Sequence, residues 1–277
     1  MTAVCQRSIR FRSIGRLVCL FIIAVAAASA ALYTGRIASV AAASDAVAWV
    51  TLGNGAAYTW LPYVTTNHQP LGDIFVVRIV PHAVLFRIYY RPGNRKTVAD
   101  WAVEMPGAAI IANASFFNGA RQPMGLVKIG GAILSPAIGT AEHGLFSVVD
   151  DVPQVIPAVT IPAPKSARSY SESFESYPVL VSAGRVAPFK DNASERGRRS
   201  IIAEDTGGNI LIVFTSSVEL SLTEIATWLQ NSGLSIETAL NLDGGASAQL
   251  HLSAPGSLPA LVQGTDAVPV VLAVYFR

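Results

Sequence analysis

Charged residues and cysteines are both scarce in this sequence. Asp, Glu, Lys and Arg make up 14% of the 277 residues and hydrophobic residues 51%, so we expect a sizeable buried core. The two cysteines, Cys5 and Cys19, both lie within the first 43 residues. The remainder of the chain therefore offers no disulfide and no cysteine metal site, and its core alone must stabilise it.

The first 43 residues have the composition of a secretory leader. An apolar run, residues 17–33, follows four arginines between residues 7 and 16 and precedes Ala- and Ser-rich sequence. The run is shorter than the roughly 20 apolar residues of a typical membrane span, which favours a cleaved signal peptide, and an uncleaved signal anchor is the alternative. In either case we expect residues 1–43 to engage the membrane or the export machinery. Residues 44–277 are then expected to be periplasmic or secreted.

The basic charge balance of the chain belongs to this leader. Without residues 1–43 the chain loses five arginines and no acidic residue, which leaves 15 basic against 18 acidic residues. A net charge near −3 removes the main electrostatic support for binding nucleic acid. No nucleic-acid partner is predicted.

Residues 44–277 are predicted to form one α+β domain, rich in β-strands, with mixed sheets, several hairpins and one main amphipathic helix. The helix is predicted at about 221–232, because Ser221 and Glu224 have the spacing of a capping box and Gly233 ends the apolar pattern. Hairpin turns are predicted at Gly130-Gly131, Ala183-Gly184 and Thr206–Gly208, and a short helix within Thr97–Glu104.

Other segments complete this expectation. Ile74–Val80 and Val84–Tyr90 are predicted to pair as a hairpin around Pro81-His82. Residues 45–72 are expected to be loosely structured with one short strand, and residues 150–177, rich in Pro, Ser and Glu, to form a long surface connection. A last strand, Val268–Phe276, is expected at an edge or to start near its proline.

Three polar motifs stand next to predicted strands. Residues Asn113–Phe117 follow a strand, Arg196–Ser200 precede one, and Asn241–Gly245 end one. Side chains alternate along a strand, so Asn241 and Asp243 are expected on one face with their leucine neighbours in the core. The two glycines permit positive φ and the close approach of a ligand to the main chain. The pattern predicts the polar edge of a pocket, and an Asp-Gly turn that closes a hairpin is the alternative.

The order and spacing of these motifs resemble the phosphodiester glycosidases. That family carries an Asn-Gly-Gly-Phe-Phe-like strand end, an Arg-Thr or Arg-Ser strand start and an Asn-Leu-Asp-Gly-Gly-Gly-Ser turn. The matching segments here are Asn113–Phe117, Arg199-Ser200 and Asn241–Ser247. Residues Tyr177–Gly184 are similar to the family's Gly-Pro-x-Leu-Val-x-x-Gly hairpin, so the resemblance spans about residues 70–277.

The resemblance implies cleavage of a sugar 1-phosphodiester, such as one of N-acetylglucosamine, at the anomeric carbon of an envelope or extracellular glycan. It implies Asp243 as the acid/base or oxocarbenium-stabilising carboxylate, Asn241 as an orienting amide and Arg199 as the phosphate ligand. The implied substrate-binding residues are Asn113, Phe117, Arg196, Ser200, Gly244, Gly245 and Ser247.

Two other functions stay open. Ser115, Tyr177 and Ala246 stand where the family commonly has glycine, which favours a non-catalytic glycan-binding or exopolysaccharide-assembly protein as the main alternative. The segment Gly245–Gln249 approaches the nucleophile elbow of serine hydrolases but ends in Gln rather than Gly.

A cofactor and a second carboxylate are the open parts of the predicted site. The four histidines are too scattered for a metal motif, so no cofactor is predicted from them. A divalent cation bound by Asp243 is the one cofactor that stays possible. Glycosidases commonly use two carboxylates. Glu104, Glu204 and Asp205 are the candidates for the second one.

Overall fold

The computed structural model describes residues 47–65, 67–93, 95–157, 170–253 and 264–277. The predicted leader, residues 1–43, lies outside the described residues. Residues Ala48–Arg277 form one compact unit. Within the described ranges no helix is long and apolar enough to cross a membrane.

The described residues contain seventeen strands, which we number in chain order. They are β1 (Val50–Gly53), β2 (Ala56–Val64), β3 (Pro70–Ile79), β4 (Val84–Tyr90), β5 (Ile110–Asn113), β6 (Val127–Ile129), β7 (Ala132–Ser135), β8 (Gly144–Val149), β9 (Val152–Pro157), β10 (Glu172–Ser176), β11 (Val179–Ser182), β12 (Arg185–Val186), β13 (Ser200–Asp205), β14 (Ile210–Phe214), β15 (Ile236–Asn241), β16 (Leu250–Leu252) and β17 (Val270–Phe276).

The strands form three sheets. One has eight strands in the order β1-β2-β3-β14-β13-β15-β11-β12, one has five in the order β7-β6-β10-β8-β9, and one has four in the order β16-β5-β17-β4. Every strand pairing among the described residues is antiparallel. The fold is therefore mostly β, and the expectation of mixed sheets is wrong.

All three sheets contribute to one central core. Phe214 from the eight-stranded sheet, Phe146 from the five-stranded sheet and Leu272 from the four-stranded sheet belong to the same buried cluster. Alternate residues point away from this core, because successive side chains of a strand face opposite sides of the sheet. Two of the sheets are therefore apolar on both faces, and each carries a helix on its outer face.

The two helices of the described residues cover these outer faces. α1 (Val98–Glu104) packs Trp101 against the four-stranded sheet, and α2 (Leu222–Asn231) packs Ile225 and Leu229 against the eight-stranded sheet. Each begins with a complete capping box, Thr97 with Asp100 and Ser221 with Glu224. The main helix is confirmed where the sequence predicted it.

The three hairpins predicted around glycine turns are confirmed as β6–β7, β11–β12 and β13–β14. The hairpin predicted around Pro81-His82 is wrong. β3 pairs with β2 and β14, whereas β4 pairs with β17 in another sheet, and the 3-10 turn Pro81–Ala83 redirects the chain between them. β17 is flanked by β4 and β5, so Pro269 precedes a central strand rather than lying on an edge.

Two segments contain more strands than predicted, since one short strand was expected in residues 45–72 and a surface connection in residues 150–177. Residues 45–72 contain β1, β2 and the start of β3, and residues 150–177 contain β9 and β10. β10 has the polar sequence Glu-Ser-Phe-Glu-Ser, yet all five residues are buried. Burial is tolerated because its polar side chains are hydrogen-bonded; Ser173, for example, contacts the hydroxyl of Ser147 at 2.7 Å.

Candidate active site

The three polar motifs meet at one turn, because main-chain hydrogen bonds join the strand ends that carry them. The N–H of Asp243 donates to the carbonyl of Ala114 at 3.3 Å, which joins the end of β15 to the end of β5. The N–H of Gly245 donates to the carbonyl of Arg198 at 2.8 Å, which joins the same turn to the segment before β13. The chain then enters β16, which pairs with β5 and not with β15, so the alternative of a simple hairpin turn is wrong.

Both glycines of the turn are required, for different reasons. A Cβ on Gly244 would lie 2.7 Å from the carbonyl oxygen of Arg198, closer than a real Cβ contact allows. Gly245 has open space around it but a φ of +57°, in the left-handed region that favours glycine. The close approach at Gly244 is thus made by the protein's own backbone.

Asp243 is the carboxylate of this turn, and its protonation is shifted towards neutral pH. The pKa of Asp243 is raised to about 6, because burial and, to a smaller extent, the charge of Asp266 raise it more than the Ser247 hydroxyl and the Gly244 N–H lower it. A carboxyl group of this pKa exchanges protons near neutral pH, which suits a general acid or base. Ser247 lies buried in the 3-10 turn Gly245–Ser247, beside this carboxylate.

Asn113 connects the turn to the rest of the site. Its Nδ2 donates to the carbonyl of Asp243 at 2.7 Å, and its Oδ1 accepts from the N–H of Gln249 at 3.0 Å. Gln249 in turn accepts from the N–H of Val98 and donates to the carbonyl of Asp266. The Asn113 amide therefore holds the turn in place from within.

Three buried polar atoms in the described residues have no hydrogen-bond partner, and all three belong to the polar motifs. They are Oγ of Ser115, Oγ of Ser200 and Oδ1 of Asn241. The other side-chain atom of Asn241, Nδ2, donates to the carbonyl of Tyr177 at 3.0 Å. An unsatisfied buried polar atom costs stability, and in native proteins such atoms are concentrated where function requires them.

The two predicted phosphate ligands already contact other groups. Arg196 forms a salt bridge with Glu224 at 2.7 Å, at the start of α2. Arg199 donates from Nε to the carbonyl of Leu220 and from Nη2 to the carbonyl of Glu195, both at 2.7 Å. Burial lowers the pKa of Arg199, and the nearby carboxylates of Asp191, Glu195 and Glu224 raise it. Both guanidinium groups are therefore directed towards the N-terminal end of α2.

The three candidates for a second carboxylate have structural partners. Glu104 forms salt bridges with Arg91 and Lys96. Glu204 accepts from the N–H of Val155, and Asp205 accepts from the N–H groups of the turn that it precedes. The acidic side chain whose charge raises the pKa of Asp243 is instead Asp266. The sequence patterns did not single it out, because it lies 23 residues away in an unremarkable Thr-Asp-Ala segment.

An aromatic stack extends from the first motif and was also missed. The ring of Tyr177 lies between those of Phe116 and His143, with centroid distances of 4.6 Å and 4.9 Å. Because the Tyr177 carbonyl binds Asn241, the stack is fixed to β15. Phe117 lies elsewhere: it packs against the cluster under α1, with the guanidinium of Arg121 5.1 Å from its ring centroid.

Glu175 holds the far end of this stack. Its carboxylate contacts Nδ1 of His143 at 2.5 Å and accepts from the N–H groups of Leu126, Ile138 and Gly139. Burial by itself would raise the pKa of Glu175, but these hydrogen bonds outweigh it and lower the pKa. Glu175 is therefore an ionised, fully bonded group inside the protein.

Metal ligation has no preassembled site among the residues that the structure describes. No group of three or more His, Cys, Asp or Glu side chains there is arranged to hold a metal ion.

Comparison with known proteins places the chain in a family. The phosphodiester glycosidase family model matches residues 106–275, more than half of the chain. No curated protein gives a significant match. Among solved structures, the chain is similar to the zebrafish N-acetylglucosamine-1-phosphodiester alpha-N-acetylglucosaminidase catalytic domain, auto-inhibited by its pro-peptide, with a TM-score of 0.60 and 15% identity over 80% of this chain and 83% of that one.

A second similar structure is a hypothetical protein from Synechocystis. It has a TM-score of 0.62 and 18% identity, and the match covers 84% of this chain and 64% of that one, so this chain spans less than two thirds of its length. At these identities the structures show a shared fold. The family model, which covers all three polar motifs, shows more: the chain belongs to the phosphodiester glycosidase family.

Proposed function

We propose that the protein is an exported hydrolase that cleaves a sugar 1-phosphodiester at the anomeric carbon. Membership of the phosphodiester glycosidase family supports the reaction class. The substrate that we propose is an N-acetylglucosamine 1-phosphodiester, or a similar sugar diester of an envelope or extracellular polysaccharide. The leader-like composition of residues 1–43 supports export to the periplasm or the outside, with residues 17–33 as an anchor if the leader is not cleaved.

The observation that carries this proposal is the position of the part-buried Asp243 carboxylate on the turn where the three polar motifs meet. A phosphate is a good leaving group, so the reaction needs less help from a general acid than cleavage of an ordinary glycoside does. The pKa of Asp243 is about 6, so at higher pH its carboxylate is ionised and can accept a proton from an attacking water. The glycines and the Asn113 amide fix this carboxylate where three strand ends meet.

The proposed reaction is a hydrolytic displacement. The water oxygen bonds to the anomeric carbon while the bond from that carbon to the phosphate oxygen breaks, and the bonding pair leaves with the phosphate. Asp243 takes the proton of the water and releases it to solvent. The products are the free sugar and a phosphomonoester. The positive charge that develops on the sugar in the transition state is stabilised by the same carboxylate.

The test is release of free sugar by the full-length protein from an N-acetylglucosamine 1-phosphodiester. We expect release by the wild type and none by Asp243→Asn, since an amide cannot take the proton. Asp73→Asn is the matched control, because Asp73 is exposed on β3 in the same sheet. Circular dichroism and thermal unfolding must show that the Asp243→Asn protein is folded.

The alternative is a non-catalytic glycan-binding or polysaccharide-assembly protein that uses the same turn. It predicts no sugar release from any diester, with or without divalent cations, and a changed glycan affinity in Asp243→Asn. Loss of activity in Ser247→Ala but not in Asp243→Asn would instead favour a serine hydrolase.

A further inference from the structure

A polar cavity of about 650 Å³ opens beside Asp266, the carboxylate that acts on Asp243. Its volume is within the range of small-molecule sites, which is about 300–1,000 Å³. Three segments line it: the turn before α1, the loop after β5 and the residues before β17. The predicted site residues do not line this cavity, and none of its lining residues stood out in the sequence.

Two arginines give this cavity an excess of positive charge. Arg95 and Arg121 line it together with one acidic residue, Asp266. Arg95 is exposed and has no hydrogen bond or ion pair within the described part of the chain. Arg121 is held in place, because Nη1 donates to the carbonyl of Ala267 and the guanidinium lies over the ring of Phe117. Its remaining N–H groups are available to a ligand.

The backbone of Arg121 supports a functional role. Its φ is +61°, in the left-handed region that a residue with a side chain rarely adopts. Such a conformation persists where the surrounding contacts determine it, and it is enriched at ligand sites. Here it accompanies the two contacts that fix the guanidinium at the cavity wall.

One residue ties this cavity to the turn of Asp243. The side chain of Gln249 accepts a hydrogen bond from the N–H of Val98, next to the turn before α1 that lines the cavity. It also donates to the carbonyl of Asp266, which lines the cavity itself. The main-chain N–H of Gln249 donates to Asn113, which holds the Asp243 carbonyl. The cavity and the turn are therefore fixed relative to each other by a continuous chain of hydrogen bonds.

Two arginines of the second polar motif, Arg196 and Arg199, already have part of their N–H donors engaged near α2. Arg196 is paired with Glu224, and Arg199 binds two main-chain carbonyls near α2. A phosphate is best held by guanidinium groups that offer free, forked N–H donors. In this chain Arg95 and Arg121 offer them.

We propose that this cavity binds the phosphate of the substrate through Arg95 and Arg121, with the sugar extending towards Asp243. The inference rests on the proposed function for the nature of the ligand, a phosphate ester of a sugar. It assigns the anion-binding role to two residues outside the three polar motifs. The positive charges of Arg95 and Arg121 offset the repulsion that Asp266 would exert on the phosphate.

The test is a comparison of two ligands by isothermal titration of the full-length protein. N-acetylglucosamine 1-phosphate carries the anion and free N-acetylglucosamine does not. We expect the wild type to bind the phosphate at least about tenfold more tightly, and the Arg95→Gln/Arg121→Gln protein to lose that preference. Arg185→Gln, which removes an exposed arginine from β12, is the matched control and keeps it.

The outcomes separate this inference from the proposed function. No preference for the phosphate in the wild type, or an equal loss in Arg185→Gln, overturns the inference. If the preference depends on Arg95 and Arg121 but no diester releases sugar, the inference stands and the proposed function fails. If sugar is released and the double variant binds like the wild type, the proposed function stands and the inference fails. Should the double variant not fold, Arg95→Gln alone decides, because Arg95 is exposed and makes no hydrogen bond or ion pair with the described residues.

Discussion

The side-chain amide of Asn113 donates a hydrogen bond to the main-chain carbonyl of Asp243 at 2.7 Å, across 130 positions of the chain. Its Oδ1 is also occupied, by the N–H of Gln249. Two strand ends are thereby locked together at the carboxylate that we propose to be catalytic. In the proposed reaction Asn113 therefore contributes through the position of Asp243 rather than through a free amide.

Replacing Asn113 should therefore weaken both the fold and the catalytic step. Asn113→Ala leaves two main-chain groups without these partners, the buried N–H of Gln249 and the part-buried carbonyl of Asp243, so we expect the free energy of unfolding to fall by roughly 1–3 kcal/mol. Urea denaturation measures this loss. Asn192→Ala, in an exposed loop where the amide contacts only nearby residues, should change it far less. Equal stability of the two variants would contradict the positioning role.

The pH dependence of the rate should report the protonation of Asp243. Because the ionised form accepts the proton, kcat/KM should rise with pH and level off above the pKa of about 6. The charge of Asp266 raises the pKa of Asp243, so Asp266→Asn should move the midpoint to lower pH. A rate that falls through pH 6 would show instead that Asp243 acts as a general acid.

Glu175 should stabilise the protein most at neutral pH. Its pKa in the folded protein is below the ordinary 4.5, so its contribution is present above that pH and is lost as the pH falls through the folded value. Glu175→Gln leaves N–H donors facing an amide and should cost roughly 3–5 kcal/mol at pH 7. Thermal unfolding at pH 7 and pH 3.5 should show the gap to wild type closing at the lower pH. Glu219→Gln, at an exposed position, serves as the control.

Arg199 should be important for folding whether or not it touches the substrate. Its guanidinium satisfies the carbonyls of Leu220 and Glu195, so Arg199→Ala should lower the free energy of unfolding by roughly 1–3 kcal/mol. Arg196→Ala should cost about 1 kcal/mol at most, because its salt bridge with Glu224 is largely exposed. Chemical denaturation of the Arg199→Ala and Arg196→Ala proteins measures this difference in the free energy of unfolding. Activity lost in Arg199→Ala is informative only at temperatures where the variant is folded.

Features encoded locally could be predicted from the sequence. The capping box at Ser221 and Glu224 marked α2, and glycines marked the turns of three hairpins. The choice of strand partners could not be predicted in the same way. β3 and β4 look like a hairpin locally, but the 3-10 turn Pro81–Ala83 redirects the chain and they pair in different sheets.

The same distinction between local and distant contacts applies to the site. Asp243 and Asn113 stood out because motifs surround them. Asp266 and Glu175 did not, because their roles depend on groups that the fold brings from far along the chain. Glu175 was further obscured by lying in a strand whose polar sequence indicates a surface segment. Sequence also does not reveal which guanidinium groups are already bound to carbonyls.

The two glycines that follow Asp243, Gly244 and Gly245, should respond differently to the same substitution. Gly244→Ala places a Cβ 2.7 Å from the Arg198 carbonyl, so the backbone between β15 and β13 must move apart. The Cβ of Gly245→Ala meets no atom within 4 Å, so the only expected cost is that of a side chain at a φ of +57°, about 1–2 kcal/mol of the free energy of unfolding.

We therefore expect Gly244→Ala to lose activity and stability together, and Gly245→Ala to lose about 1–2 kcal/mol of stability while keeping most of its kcat. Thermal unfolding and sugar release, measured on both proteins, test this pair. Because the displaced backbone carries Asp243, the rate at saturating substrate should fall in Gly244→Ala even at temperatures where it is fully folded. A Gly244→Ala protein with wild-type kcat would show that the position of this turn does not control the reaction.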